Sequence, residues 1–352
     1  MRLRFIKMGK KLFKSFEKNF NSFIIGFVSG LVIYLLTISK QGVFNTAFII
    51  FFSGLLLISI YTLGANKTNK FDNKFFKLLG KITEAEFLFY LIIIPSILVL
   101  IYLLPNWISD IFKLNLNQPN FISLFFSNYT HQNLGHLLGN LGAYFLLIIL
   151  ILNLEPNKKE FHWFSIFAFL VFPFVIYPIT KLSFNLFGII NFPSTLGFSG
   201  IVALFNGYFI YCLYKYLKTK AFKNLKLSFV FFLLIFNITI WGFFNNFYLG
   251  LASLILIGLL TFMNLTAIKP LIIFLNSKLF LSNGRNKINW KNFVIFMLIL
   301  IPLVSLITLV PKELISNGSI INTPVHFFSL LIGVFLPYLY EIIKFNKKEK
   351  DK

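Results

Sequence analysis

Ser199 lies in the tetrapeptide Gly197-Phe198-Ser199-Gly200 at the mouth of one apolar segment, and His131, His136, Asn140 and His326 lie at the mouths of two others. A hydroxyl nucleophile, an imidazole base and donors able to hold an oxyanion are the parts that acyl transfer by a serine requires. Polar side chains are expensive in hydrocarbon and usually face a bundle interior or a wet cavity, where function retains them. Of the chain's 4 histidines, three belong to this set.

Each residue also has a plainer reading. Serine and glycine are common at membrane helix contacts, so a lone Gly-x-Ser-Gly is read first as packing. His326 or Asn140 alone reads equally well as an interhelical hydrogen bonder. The combination is more specific, because chance must place all the parts at one depth on one side. Metal ligation does not fit: His131 and His136 are five apart with no carboxylate beside them, whereas a helical zinc site needs two histidines four apart and an adjacent glutamate. His162, just inside another apolar run, reads as interfacial.

The elements that must position these residues are membrane spans. The chain of 352 residues is 57% apolar and 19% aromatic, with mean hydropathy +0.81. Long apolar runs recur from end to end, which excludes a soluble globular core and indicates an all-α polytopic membrane protein. Ten spans are expected, at 22–39, 43–64, 86–104, 134–153, 161–180, 195–214, 227–244, 249–268, 292–310 and 324–343. The net charge of +22 sits between the runs, as membrane topology requires, and does not indicate a nucleic-acid partner. Cys212, the single cysteine, falls within a span, allows no intrachain disulfide and reads as a packing residue.

Threading the spans alternately from a cytoplasmic N-terminus divides the Lys and Arg residues 29 to 4 in favour of the inside. Only Lys40, Lys113, Lys181 and Lys312 fall outside. Cytoplasmic loops carry the basic excess, so both termini are expected in the cytoplasm of a cell-membrane, multi-pass protein. The basic start, Met1 to Lys18, is followed by no small-residue cleavage site, and the first span reads as a retained anchor.

The same threading places His131, His136, Asn140, Ser199 and His326 near the outer face. A helix beginning at Thr195 would set Ser199 about 6 Å below its start, within reach of water. His136 and Asn140, four apart, project from one helix face, while His131 points elsewhere or precedes the helix. Gly200, Ala203 and Gly207 repeat with the same spacing as His326, Ser329 and Gly333. Two such small-residue stripes allow close backbone approach and would bring His326 against Ser199. A third stripe, Gly135, Gly139 and Gly142, neighbours the face of His136 and Asn140.

At these residues the chain resembles the rhomboid intramembrane serine proteases. His131 to Asn140 is similar to their H-x4-H-x3-N signature, and Gly197 to Gly200 to their G-x-S-G. The last span is similar to their final-helix A-H-x-x-G-x-x-x-G, with Val325 and Ser329 replacing the alanine and first glycine. The three motifs stand in family order. The resemblance implies a six-helix rhomboid-like core with about four additional transmembrane helices. It divides the chain into a basic N-terminus with an extra hairpin (1–64), a basic linker (65–85), four core helices (86–214), a core helix with an inserted hairpin (215–323), the final core helix (324–343) and a basic tail (344–352).

The resemblance further implies a serine endopeptidase that cuts transmembrane segments of membrane proteins near the outer face, with Ser199 as nucleophile and His326 as base. Asn140, His136 and the Ser199 backbone N–H are then the oxyanion donors, and His131, Gly197, Gly200, Ser329 and Gly333 support them. It implies no cofactor. A Ser/His dyad is favoured over a triad, because Asp72, Asp110 and Asp351 all lie in loops or tails. The chain departs from the family at Ala203, where an aromatic residue often packs on the histidine, and at Trp107-Ile108, where a Trp-Arg pair is usual. Three apolar spans separate Ser199 from His326 where the basic core has one, an odd number that keeps His326 at an outward start. Two alternatives are a catalytically impaired rhomboid-like protein that binds transmembrane helices, whose kind typically loses the serine or histidine, and a transporter. The transporter is disfavoured by the near absence of charge within the spans. A match to N-x-S/T at Asn128-Tyr129-Thr130 carries little weight in so asparagine-rich a chain.

The threading predicts that a cysteine at position 320 (Ile320→Cys) reacts with an impermeant thiol reagent added to intact cells. Reaction only after the cytoplasmic side is opened would reverse the topology.

Overall fold

The computed structural model describes residues 83–154, 157–186, 194–220, 222–223, 225–245, 247–263, 298–299, 302, 315–316, 319–320 and 323–350. All belong to one compact unit formed by Ile82–Leu279 and Leu298–Lys352. The spans expected at 22–39 and 43–64, almost all of the 65–85 linker and most of the 292–310 span lie outside the described residues.

The described residues are mostly helical. Helix α1 (84–102) contains a π-helical stretch, Phe87–Ile93, and is followed by a short helix α2, Asn106–Phe112. Strand β1 (Leu114–Asn115) and helix α3 (Phe121–Phe126) complete the connection to α4, Leu134–Leu154. Helix α5 (158–186) carries a second π-helical stretch, Phe167–Val171. Strand β2 (Ser194–Thr195) leads into α6, Ser199–Lys220, and then come α7 (Ser228–Asn245) and α8 (Phe247–Met263). A small hairpin, β3 (Ile315–Ser316) with β4 (Ser319–Ile320), precedes α9, Thr323–Lys350.

Three of these helices are long and apolar enough to cross a membrane: Leu134–Leu154, Lys158–Asn185 and Val325–Ile343. A fourth is counted if Phe87–Tyr102 and Asn106–Phe112, which meet at 114°, form one broken span. Their outward faces are apolar, with Leu100, Leu103, Ile166, Leu182 and Ile343 all more than half exposed. Such a surface is unfavourable in water and suits hydrocarbon, where helices satisfy their own backbone.

Helix α6 is different: every residue from Ile201 to Tyr214 is buried, so the other helices pack around it. Its closest neighbour is α9. A Cβ added at Gly207 would lie 2.1 Å from the Leu330 carbonyl oxygen and 2.9 Å from Gly333 Cα. A Cβ at Gly333 would lie 2.1 Å from the Leu204 carbonyl oxygen. The two backbones therefore touch at this crossing, which only glycine permits. Gly200 fits between Ile176 of α5 and Val325 of α9, and Ala203 and Ser329 are fully buried nearby. Ser329 is accommodated where a smaller residue would do because its Oγ donates back to the Val325 carbonyl at 2.6 Å.

The third small-residue stripe behaves otherwise. A Cβ at Gly139 or Gly142 meets nothing within 4 Å, and both glycines are exposed. The buried face of α4 is Leu137, Asn140, Leu141, Tyr144, Leu147 and Ile148. At 100° per residue the glycines fall away from that face, so they do not serve the close approach expected of them.

Two groups of ion pairs close the opposite end of the bundle. Glu86, 4% exposed on its side chain, accepts from Lys158 Nζ at 3.0 Å and lies 3.4 Å from His162 Nε2. His162, expected from the sequence as interfacial, also bonds the Tyr90 hydroxyl at 3.0 Å and so links α1 to α5. Lys215 of α6 donates to Glu160 of α5 at 3.1 Å and to Glu341 of α9 at 2.7 Å.

The crossing predicts that Gly207→Ala lowers stability by about 3 kcal/mol, because the new methyl group drives backbone from backbone. Gly139→Ala should leave stability unchanged or raise it slightly. Thermal unfolding of the two variants in lipid nanodiscs tests the contrast, and equal melting temperatures would contradict it.

Candidate active site

Three helices begin at one end of the bundle: His136, Ser199 and His326 lie in their first turns, Asn140 in the second turn of α4, and His131 just ahead of that helix. Asn133 opens α4: its side-chain oxygen accepts the His136 backbone N–H at 2.8 Å, a cap that fixes where the helix starts. Helix α9 starts at Thr323 with Pro324 in its first turn, where a missing N–H costs nothing, and His326 follows. Helix α6 starts at Ser199 itself.

That start corrects the sequence expectation. Thr195 is not helical but pairs with Leu114, and Ser194 with Asn115, in the antiparallel contact of β2 with β1. Gly197 then takes φ +130°, a conformation that side chains with a Cβ rarely adopt, and turns the chain into the helix. Its N–H donates to the Ser127 carbonyl at 2.9 Å, fastening the turn to the segment after α3. Phe198 is fully buried among Tyr129, Tyr144 and Phe169, with ring centroids 5.6 to 6.4 Å away. Ser199 is thus the first helical residue, and its backbone N–H belongs to the helix-end donors that have no intrahelical partner.

Ser199 Oγ and His326 Nε2 are 2.7 Å apart. The imidazole is 5% exposed, while Ser199 is only half-buried. A hydroxyl at that distance can pass its proton to a neutral ring nitrogen and present its lone pairs to an electrophile from the open side.

His136, Asn140 and His131 form the adjoining wall. A Cβ added at Gly197 would lie 2.8 Å from His136 Cε1 and 3.2 Å from its Nε2, so the ring rests against the turn that delivers Ser199. The His131 ring stands edge-on to His136 with centroids 5.1 Å apart. Asn140 donates through Nδ2 to His131 Nε2 at 3.0 Å, not to Ser199. His131 precedes α4, as one of the two sequence alternatives had it. His136 rests on the turn that carries Ser199 and its partner His326, and His131 and Asn140 stand behind His136. Among the described residues no group of three His, Cys, Asp or Glu side chains is placed to hold a metal ion.

Burial, and the neighbouring His136 after it, push the His131 imidazole down to about 3 from the usual histidine value. The ring is neutral at physiological pH, with Nε2 free to accept and the proton on Nδ1.

Sequence reasoning weighed the segment beneath this wall only as an N-x-S/T match, not as support for the site. Asn128 is buried and donates to the Leu124 carbonyl at 2.9 Å, with Phe125 and Pro173 carbonyls close by. The Tyr129 hydroxyl donates to Phe169 at 2.5 Å, and Thr130 to Phe126 at 2.9 Å. These residues tie the loop to α3 and α5, and burial removes Asn128 from any glycosylating enzyme. The only sequence signal was a run of polar and aromatic side chains between apolar elements.

Compared with known proteins, the chain matches no family model, no curated protein and no solved structure.

A histidine whose folded-state pKa is lowered leaves the unfolded chain the better proton binder as pH falls. Stability from a neutral His131 is therefore complete above about pH 6.5 and declines towards pH 3. Replacing it in His131→Gln should flatten the fall in melting temperature between pH 7 and pH 4. Parallel curves for the two proteins would show that His131 is not held neutral.

Proposed function

We propose that this chain is a rhomboid-like intramembrane serine endopeptidase that cleaves transmembrane segments of other membrane proteins near the outer face. The observation that carries the reading is the 2.7 Å approach of Ser199 Oγ to His326 Nε2. It joins helix starts separated by 127 residues, with the imidazole buried and the serine only half-buried.

In the proposed reaction His326, neutral with its proton on Nδ1, takes the Ser199 proton as Oγ attacks the scissile carbonyl carbon. The carbonyl electron pair moves onto oxygen. The Ser199 N–H, the His136 ring and the Asn140 amide hydrogen not given to His131 are the donors this reading assigns to that oxyanion, each supplying roughly 3 to 4 kcal/mol in a dry site. The tetrahedral centre collapses, the C–N bond breaks, and His326 returns the proton to the leaving amine. Water then adds to the acyl-serine by the same route, releasing the carboxylate and restoring Ser199.

The substrates are helices that can unwind, since an intact helix keeps its carbonyls in internal hydrogen bonds. Gly, Pro and small residues near the outer face should mark them. Partners are therefore transmembrane proteins and the lipid bilayer, and no cofactor enters. The basic-loop count supports a cell-membrane location with both termini cytoplasmic and the site outside.

In liposomes carrying a fluorogenic transmembrane substrate, Ser199→Ala should abolish cleavage and His136→Ala should reduce kcat roughly 100- to 1000-fold. Cleavage that persists in Ser199→Ala would end the proposal.

A further inference from the structure

The ion pair at the far end of α6 and α9 stands in a fixed relation to the site. Gly207 touches Gly333 at the crossing, and Lys215 and Glu341 each lie eight residues beyond their own glycine. On the near side Ser199 lies eight residues before Gly207, and His326 seven before Gly333. The helices run in the same direction, with offsets that differ by one residue between the two sides and the crossing in the middle, about 10 to 12 Å from either end. The Lys215 to Glu341 contact, at 2.7 Å, is the counterpart of the Ser199 to His326 contact.

The two ends have different tolerances. Slipping one helix by a single residue moves it about 1.5 Å, whereas a hydrogen bond keeps its strength over only a few tenths of an ångström. The crossing itself resists such a slip mainly where Val325 packs on Gly200, because Gly207, Gly333 and Ala203 offer little side-chain relief to interlock. It fixes how close the helices come better than where they stand along their axes. Pro337, between the crossing and Glu341, deprives the Gly333 carbonyl of its helical N–H partner and weakens α9 there. A bend at that point changes the direction of α9, yet axial displacement still passes through it.

We propose that Lys215 and Glu341 are positioning residues that pin the axial register of α9 on α6 and thereby hold His326 in reach of Ser199. Lys215 is itself anchored to α5 through Glu160, which is 2% exposed on its side chain, so the pin has a fixed base. Glu341 is 41% exposed, and partly exposed pairs contribute little to stability. Register specification is the best-attested use of buried polar groups, and the base of this network, Glu160, is buried. The inference rests on the proposed roles of Ser199 and His326.

The test has one arm that needs no activity. In full-length Cys212→Ala protein carrying Ser199→Cys and His326→Cys, a short bifunctional thiol reagent should join the two positions efficiently. Adding Glu341→Lys, which sets two cations against each other, should reduce the yield by more than half. Glu341→Gln, which spares the Lys215 to Glu160 pair, should reduce it less, and Lys215→Arg should preserve it. In the chain with Ser199 and His326 intact, Glu341→Gln should lower kcat about tenfold or more with KM unchanged, and Lys215→Arg should retain kcat. Undiminished crosslinking in both Glu341 variants would overturn the pin. So would a loss explained by unfolding, seen as a collapsed melting temperature in Glu341→Gln. Absence of any cleavage by the unmodified chain would instead count against the protease reading and leave crosslinking to decide the register.

Discussion

The contact of two bare backbones at Gly207 and Gly333 is the constraint on which the rest depends. Lipid supplies no hydrophobic force to press helices together, so van der Waals contact has to do it, and contact is greatest where no Cβ intervenes. A methyl group on either glycine would fall 2.1 Å from a carbonyl oxygen. With the helices in touch, residues near their starts are brought into a common space. That packing sets the interhelical spacing across which Ser199 and His326 approach to 2.7 Å.

The helix starts then give the site its character. A helix that begins inside a protein leaves N–H groups without partners, and α6 begins at the serine. The positive φ of Gly197, the Ser127 carbonyl and the buried Phe198 ring together hold that start in place. On the other side, capping by Asn133 sets the phase of α4, so that His136 faces the turn while Asn140 meets His131. Local backbone chemistry in three segments therefore produces the polar cluster at this end of the bundle.

Much of this was legible in the sequence. Apolar runs located helices α4 through α9, with some ends displaced by up to seven residues, and three of these, α4, α5 and α9, are long and apolar enough to cross a membrane. The residue types of the site were visible as well, since polar groups are conspicuous among so many Phe, Leu and Ile. Backbone detail was not. The run from Thr195 onwards is as apolar as a helix, and nothing in hydropathy reveals that Thr195 pairs with Leu114 and that the helix waits for Ser199. Gly139 and Gly142 looked like packing glycines because spacing alone does not say which face is buried. Lys158 and Lys215 entered the sequence reading only as loop charges, and their partners Glu86, Glu160 and Glu341 are separated from them by tens of residues. Long-range ion pairs depend on the fold that brings them together.

The central claim is that Ser199 is a nucleophile because His326 is beside it. Its most direct test is to treat the purified chain with a fluorophosphonate and map the modified residue by mass spectrometry, with and without His326→Ala. The account predicts a phosphonyl group on Ser199 that forms far more slowly once the imidazole is gone. Modification elsewhere, or equal modification of Ser199 in both proteins, would contradict it.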